Sequence, residues 1–232
     1  MKKRIRIGVD VGGTFTDFVL VDEERDQIFT GKQLTTPSDP SAAILDGVGR
    51  LLSDAGVSPA VIDNIVHGTT LITNTIIERT GAKVGLVSTL GHRDTLEMAK
   101  EIRYDLYDLF IESPPSLVPR FLRESVAERI SPDGEILLEF DEEGFRNSLK
   151  KLVQKENIEA LAICLMHSYR NPVHEQLAKK IVSKLYKDLP VTLSSDVAPE
   201  IREFERTSTA CANAYVQPVS YTHLRAHETV TY

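Results

Sequence analysis

Residues 4–21 read RIRIGVDVGGTFTDFVLV, two apolar runs on either side of Asp10-Val11-Gly12-Gly13-Thr14. In the first run Ile5, Ile7 and Val9 alternate with Arg4, Arg6 and Gly8; the second carries Phe15, Phe18, Val19, Leu20 and Val21. Period-2 alternation interrupted by paired glycines predicts strand, tight turn, strand. Asp10 then closes the first strand, and Gly12, Gly13 and Thr14 line the turn. Glycine allows close backbone approach and positive φ without steric cost. Successive N–H groups in such a turn form an anion-binding concavity. The hydroxyls of Thr14 and Thr16 add donors, and Asp10 offers a hard oxygen that can hold Mg2+ directly or through water. The spacing Asp-x-Gly-Gly-Thr-x-x-Asp, ending at Asp17, suits a phosphate–metal group such as the end of ATP. The plainer alternative is a β-hairpin whose glycines only make the turn.

At 232 residues the chain can hold one large or two small domains. Hydrophobic content of 41% and charge of 26% are ordinary for a soluble globular protein. A formal net charge of −7 and the lack of a Lys/Arg run argue against a nucleic-acid surface. No segment approaches the length of a membrane span. The start, MKKRIRIGVDV, is basic and then apolar, but Arg4 and Arg6 interrupt it and it lacks a small-residue cleavage site. A cytoplasmic protein is expected. Cys164 and Cys211 fit a reducing compartment without a disulfide framework. Cys164, in ALAICLM, reads as a core residue, and Cys211 has no neighbouring His or Asp that would mark a nucleophile. Walker, dinucleotide GxGxxG, HExxH, GxSxG and CxxC motifs do not occur, which leaves the turn-based loop as the nucleotide candidate.

Gln27–Leu34 predicts a third strand. Asp39 and Pro40 read as N-cap and first residue of a helix with Ile44, Val48, Leu51 and Leu52 on one face, ending at Gly56. Ile62–Val66 predicts a strand closed by His67-Gly68-Thr69-Thr70, followed by a helix from Leu71 to Arg79 that Gly81 terminates. Lys83–Ser88 predicts a fifth, buried strand. This order implies an α/β layered domain with one mixed sheet: three strands as an antiparallel meander, the last two parallel through right-handed crossovers. Ligands of such sheets bind at the carboxyl ends of strands. Asp10 and His67 both fall there, so they are expected to converge on one cleft.

Residues 4–90 thus form the expected domain core, and residues 91–140 an insertion. The insertion holds a helix over Thr95–Ile102, a Tyr/Asp-rich turn (RYDLYDLF), an extended SPPSLVPR, and a hairpin in SVAERISPDGEILLEF that turns at Ser131–Gly134. Over residues 141–195 the α/β pattern resumes. Asp141 caps a helix bearing Phe145, Leu149, Leu152 and Val153, and Ile158–Met166 is a buried strand. Asn171 and Pro172 open a helix with Leu177, Ile181, Val182 and Leu185 inward, and Val191–Ser194 is a further strand. A last helix is expected from Ala198-Pro199-Glu200 through Ile201 and Phe204 to Val216, so that residues 196–219 begin a second domain. Residues 220–232, SYTHLRAHETVTY, fit no pattern and resemble a translated sequencing adapter. They are expected not to be native, and the pair His223 and His227 is discounted as a metal site for that reason.

DVGGTFTD at Asp10–Asp17 resembles the first phosphate loop of the sugar kinase, Hsp70 and actin ATPase superfamily. His67–Thr89, Gly91–Leu109, Leu161–Glu175 and Ser194–Val219 are similar to the N-terminal region of the hydantoinase A and 5-oxoprolinase family and its acetone carboxylase relatives. The resemblance covers the chain from about Arg4 to Val219. It implies a ribonuclease H-like mixed sheet with flanking helices, an actin-like ATPase domain carrying an inserted hairpin subdomain. It also implies ATP-dependent ring opening of a cyclic amide or imide of the 5-oxoproline or hydantoin type. ATP would activate the carbonyl oxygen as a phosphate ester before water attacks, and the protein's task in phosphoryl transfer is mainly positioning and charge neutralisation. ATP and Mg2+ as cofactors, a B-type hydantoinase subunit as partner and an oligomeric full-length form follow from the same resemblance. Two departures stand out. His92, in Gly91-His92-Arg93-Asp94, occupies a position where the family usually has Phe. Members also run much longer, so the chain is expected to be an N-terminal fragment without the domain that closes over the nucleotide, with weak or absent ATPase activity. The alternatives are a small-molecule kinase of the same superfamily, an acetone carboxylase-like subunit, and a nucleotide-binding subunit without turnover.

In this reading Asp10 is the catalytic, Mg2+-associated carboxylate, and Gly12, Gly13 and Thr14 give backbone donors to phosphate. Asp17 positions water or holds the hairpin. His67, with Gly68, Thr69 and Thr70, contacts phosphate or substrate at a strand-to-helix junction, where helix N–H groups favour anions; capping by Thr69 or Thr70 is the alternative. Asn74, one turn beyond Thr70, lines the same cleft or faces solvent. Surface salt bridges account for Arg93, Asp94, Tyr104 and Asp105 as well as substrate binding does. His167 reads as a satisfied core histidine. Glu203, Glu205 and Arg206 read as a solvated helix face, or as a domain interface if the resemblance holds.

Overall fold

A computed structural model describes residues 5–36, 40–101, 105, 107–112 and 114–228, without the side chains of residues 40–42, 71 and 219–228. The expected Asp39 cap, Ile102 and Tyr104 lie outside the described residues. The chain divides into two compact units, residues 1–78 with 220–232, and residues 79–219.

In the first unit β1 (Ile5–Val11), β2 (Phe15–Asp22), β3 (Gln27–Leu34), α1 (Pro40–Ala55), β4 (Ile62–Thr69) and α2 (Leu71–Ile77) follow in order. The sheet runs β3-β2-β1-β4, antiparallel across the first three strands and parallel between β1 and β4. Alternation in the sequence becomes alternation in space: Ile5, Ile7, Val9 and Val11 of β1, with Phe18 and Leu20 of β2, pack against Leu51, Leu52 and Ala55 of α1. Helix and sheet approach so closely that a Cβ on Gly47 would lie 2.2 Å from Cζ of Phe18. The tight seat excludes any larger residue there, although alanine is the better helix former.

The second unit contains β5 (Val84–Thr89), α3 (Thr95–Met98), β6 (Arg123–Val126), β7 (Arg129–Ile130), β8 (Ile136–Leu138), α4 (Glu142–Lys150), β9 (Ala160–Cys164), α5 (Val173–Leu185), β10 (Val191–Leu193), α6 (Ser194–Val197) and the start of α7 (Glu203–Glu228). Its sheet runs β10-β9-β5-β6, with every pairing parallel. The expectation of one mixed sheet is therefore corrected. β5, buried along its whole length, pairs with β6 and β9 rather than with β4, and the protein is a mixed α/β structure with several sheets. Only β7 and β8 make the expected hairpin, turning at Ser131–Gly134 with the Gly134 N–H on the Ser131 carbonyl at 3.0 Å. Ser125 and Val126 belong instead to β6 of the parallel sheet. Asp141 caps α4 as expected, accepting from the Gly144 N–H at 3.0 Å. α3 stops at Met98 because Ala99 has φ of 48°. The last helix begins at Glu203, not near Ala198, since Arg202 has φ of 94° and turns the chain. Among the described residues no helix is long and apolar enough to cross a membrane.

Two ionisable residues at the start of α5, His174 and Glu175, are buried where apolar periodicity gave no warning. Glu175 is fully enclosed: its Oε1 accepts from the Leu165 N–H (2.9 Å) and the Ser194 hydroxyl (2.6 Å), and its Oε2 from the N–H (2.9 Å) and hydroxyl (2.7 Å) of Ser195. One carboxylate thus ties the ends of β9 and β10 to α5. Beside it, His174 Nδ1 lies 2.8 Å from Glu128, which also accepts from the Thr89 hydroxyl. A buried carboxylate is tolerable only with such complete satisfaction. Glu175→Ala removes four acceptances at once and is expected to lower stability by about 3 kcal/mol. The measurement is the urea midpoint at unchanged m-value; a shift below a quarter of that size would show that the network does not carry the edge of the sheet.

Candidate functional site

The registers of the first sheet place four residues in one row across one face. Asp10 is paired with Asp17 on β2 and with Gly68 on β4, and Asp17 with Lys32 on β3. Partners in register project to the same side of a sheet, so both carboxylates stand on the face opposite α1. The row closes a shallow recess of about 320 Å³ lined by Gly8, Asp10, Asp17, Val19, Val66 and Gly68, among others. Like charges directly opposite each other are unfavourable. Lys32 relieves one of them, its Nζ 3.0 Å from an Asp17 oxygen while the ammonium also sits over the Phe15 ring. Among the described residues Asp10 has neither a hydrogen-bond nor an ion-pair partner, and it is exposed.

The turn between β1 and β2 is held by groups that close it from outside. Gly12 N–H donates to the Phe15 carbonyl (2.9 Å), Thr35 N–H to the Thr14 carbonyl (2.9 Å) and the Thr35 hydroxyl to the Gly12 carbonyl (2.8 Å). The N–H groups of Gly13 and Thr14 have no acceptor among the described residues. Neither Gly12 nor Gly13 adopts a left-handed φ; they are needed for space. A Cβ on Gly12 would meet the Phe15 carbonyl oxygen at 2.8 Å, and one on Gly13 would meet Nδ2 of Asn74 at 3.3 Å. Asn74 therefore faces the loop.

Three expectations are revised by this geometry. The Gly12 amide closes the turn and is not on offer to a ligand, unlike those of Gly13 and Thr14. Thr16 is fully buried with its hydroxyl 3.0 Å from that of Thr35, so it braces the hairpin and presents no donor. His67 pairs in register with Val9, a residue of the α1-facing core, whereas Asp10 pairs with Gly68. Strand alternation thus sends His67 and Asp10 to opposite faces, and they do not converge. Thr69 and Thr70 turn back onto the end of β1: the Val11 carbonyl accepts from the Thr70 N–H at 3.1 Å and the Thr69 hydroxyl at 3.3 Å. Thr70 occupies the N-cap position of α2 without a side-chain cap bond. The sequence reading missed Thr35 and Lys32; the register of β3 against β2 was the signal that would have placed both beside the loop.

Among the described residues no group of three or more His, Cys, Asp or Glu side chains could hold a metal ion. The pair Asp10 and Asp17 fits Mg2+ nevertheless, because that ion keeps several waters and takes one or two protein carboxylates together with phosphate oxygens. Elsewhere, Cys164 and Cys211 are free and buried, and burial raises both thiols above their ordinary range, so neither is poised as a nucleophile. His167 Nδ1 meets the Ile130 carbonyl at 2.7 Å, the contact of a satisfied structural histidine.

Residues 6–186 match the family described as Hydantoinase/oxoprolinase N-terminal region. The alpha subunit of caprolactamase from Pseudomonas jessenii is 39% identical over 94% of this chain and 32% of its own length. The crystal structure of ATP-dependent caprolactamase from the same organism superposes with a TM-score of 0.82 at 36% identity, over 97% of this chain and 33% of that one. Nucleotide-free acetone carboxylase superposes with a TM-score of 0.85 at 28% identity, over 97% of this chain and 34% of that one. The chain spans about a third of the length of these proteins.

Replacing Thr35 by Val deletes the hydroxyl that bonds both Gly12 and Thr16. The expected cost to local opening is about 1–1.5 kcal/mol, read as a roughly tenfold faster native-state hydrogen exchange of the Gly12 amide. Unchanged exchange at Gly12 would mean that the hairpin alone holds the loop.

Proposed function

The chain belongs to the hydantoinase/oxoprolinase family, whose N-terminal region it carries, and from this premise we propose that it forms the phosphate-binding part of an ATP-dependent enzyme that opens cyclic amides or imides. The observation that carries the proposal is the row of Asp10 and Asp17 beside the two unengaged amides of Gly13 and Thr14. A turn with free N–H groups receives phosphate oxygens, and an unpartnered carboxylate at the same strand end receives the cation that accompanies them. The order β3-β2-β1-β4 with α1 on one face supports reading the first unit as the ribonuclease H-like half of an actin-like ATPase.

Asp10 is the residue that would hold Mg2+, with Asp17 behind it and partly neutralised by Lys32. When bound, ATP with its Mg2+ would supply a phosphoryl group to the amide oxygen, which makes the ring carbonyl carbon open to attack by water. The chain's own contribution is positioning. Gly13 and Thr14 fix the phosphate end, Thr35 keeps their loop in shape, and Asp10 sets the cation's place in the row. Thr69 and Thr70 hold the loop's far side through the Val11 carbonyl, a role that needs no contact with ATP. His67, on the other face, has no part in this phosphate site; its share in the chemistry would be toward substrate or a neighbouring domain.

The family offers a second reading, supported by the superposition with acetone carboxylase: the same activation applied to a ketone or to bicarbonate. The remaining two thirds of the enzyme, an associated second subunit and a cytoplasmic setting complete the proposal; the name of one relative, a subunit alpha, supports the partner. In the protein extended to the length of its relatives, ATP hydrolysis is expected to be stimulated by 5-oxoproline, a hydantoin or a lactam, and Asp10→Asn is expected to lower Mg2+-dependent kcat by about 10²-fold or more. Stimulation by acetone alone would favour the carboxylase reading. A phosphosugar product would sink the amidohydrolase reading, and full activity of the Asp10 variant would remove the metal role.

A further inference from the structure

The parallel sheet of the second unit has its topological switch point between β5 and β9: the chain leaves β5 toward β6 and leaves β9 toward β10. Open α/β sheets take ligands in the crevice outside the carboxyl ends of strands at such a point. A cavity of about 600 Å³ lies there, formed by the loop that follows β5 and by the residues that open α7. Gly91 and His92, two and three residues past the end of β5, line it, as do Met98, Lys100, Glu203 and Phe204.

Three features mark this cleft. Ala99 and Arg202, both in its lining, have φ of 48° and 94°, the left-handed region that side chains avoid; such strain persists where the surroundings enforce it and clusters at ligand sites. Behind the cleft and outside its lining, Arg206, 1% exposed, donates to the Leu165 carbonyl just past β9 at 2.8 Å, lies 3.9 Å from Glu203 and stacks over the Tyr169 ring at 5.3 Å, while its Nε and Nη1 have no acceptor among the described residues. Buried donors left unpaired are rare and call for an explanation. His92 is held below its ordinary range by burial and then by Arg129, whose guanidinium is 3.5 Å from its Nε2. Finally, the lining charges are mixed and partly committed. Asp94 is held by both nitrogens of Arg120 (2.8 and 3.0 Å) and Glu205 by Lys100 (2.9 Å). Glu203 keeps acceptor capacity, its nearest cation being Arg206 at 3.9 Å, and the Lys100 ammonium has three donors with one used.

A wall with one free acceptor, one free donor and two apolar side chains complements a neutral ring that carries an N–H and a carbonyl. We infer that this cleft is the binding site for the cyclic amide: the Glu203 carboxylate accepts from the ring N–H, the Lys100 ammonium donates to the carbonyl, and Met98 and Phe204 cover the ring carbons. The inference rests on the proposed reaction for the choice of ligand and on the cleft alone for its place.

The test is calorimetric titration of the 232-residue chain, without ATP, with ε-caprolactam, 5-oxoproline and hydantoin, and with the N-methyl lactam. Single-site binding of at least one ring is expected. Phe204→Ala and Glu203→Ala should each weaken it about tenfold, with melting temperatures confirming that both variants fold. The N-methyl lactam should bind about tenfold more weakly than its parent to the unaltered chain, but equally to the unaltered chain and to Glu203→Ala, because the methyl group and the substitution remove the same hydrogen bond. Equal affinity of both variants and the unaltered chain for the parent ring would overturn the cleft while leaving the proposed reaction standing. Failure of every ring to bind would overturn the cleft as well. The reaction itself falls only if lactams also fail to stimulate ATP hydrolysis in the full-length enzyme.

Discussion

β1 is paired on both edges, antiparallel to β2 and parallel to β4, so its register is fixed twice. A slip of one residue would turn Ile5, Ile7, Val9 and Val11 out of the core and drive Arg6, Gly8 and Asp10 against α1. The cost of exposing four aliphatic side chains, at roughly 1.5–3 kcal/mol each, far exceeds anything a loop could recover. This hydrophobic constraint, remote from any ligand, is what brings Asp10 level with Asp17 and with Gly68. The carboxylate row follows from core packing. The same constraint sends His67 to the opposite face, since it shares its level with Val9.

In the second unit the corresponding constraint is polar. Its carboxyl edge gathers Glu175, Glu128, His174, Ser194 and Arg206, all nearly or fully buried. Isolated, each charge would be costly. Glu175 has its four acceptances, and Arg123 spends two nitrogens on the Val118 carbonyl at 2.9 and 2.6 Å and a third on Glu97. These groups are satisfied within the fold. Arg206 is not, and the nitrogens it leaves open belong to the residue that joins the end of β9 to the start of α7. One edge thus holds the fully bonded Glu175 carboxylate next to two incomplete groups, Arg206 and the His174 ring, whose Nε2 has no hydrogen-bond partner among the described residues.

Much of this was legible in the sequence because alternation, capping and glycine spacing are local. The hairpin, the meander, α1, the Asp141 cap and the apolar run of β9 were all read from neighbouring residues, and the family from motifs spread along the chain. What escaped was set by distant partners. VGLVS reads as a buried strand whichever sheet it joins, and nothing within it distinguishes β4 from β9 as its neighbour. Asp10 and His67 look equivalent at two strand ends until the register of β1 against β4 separates their faces. Glu175 and His174 occupy the inward positions of α5 that periodicity reserves for apolar residues; the acceptors and donors that make this possible lie on β9, α6 and the segment between β6 and β7. Arg202 carries an unfavourable φ for a side-chain residue, so the helix start that Ala198-Pro199-Glu200 suggested was displaced by a feature that local propensity disfavours.

The two candidate sites are built on opposite physical terms, and this bears on what each can discriminate. The turn between β1 and β2 is unstrained: its glycines have ordinary φ, the Gly12 and Thr14 carbonyls are bonded to Thr35, and the amides of Gly13 and Thr14 and the carboxylate of Asp10 have no partner among the described residues. A site so arranged costs little to order around any phosphate and says little about what else the ligand carries. The cleft at the switch point keeps backbone strain at Ala99 and Arg202 and mixed charges on Lys100 and Glu203. A site that hydrogen-bonds its ligand rejects an analogue that lacks the matching group by the bond it forgoes. On the readings proposed above, selection among ring substrates falls to Glu203, Lys100 and their neighbours, and the nucleotide end of the reaction to a loop that the core had already placed.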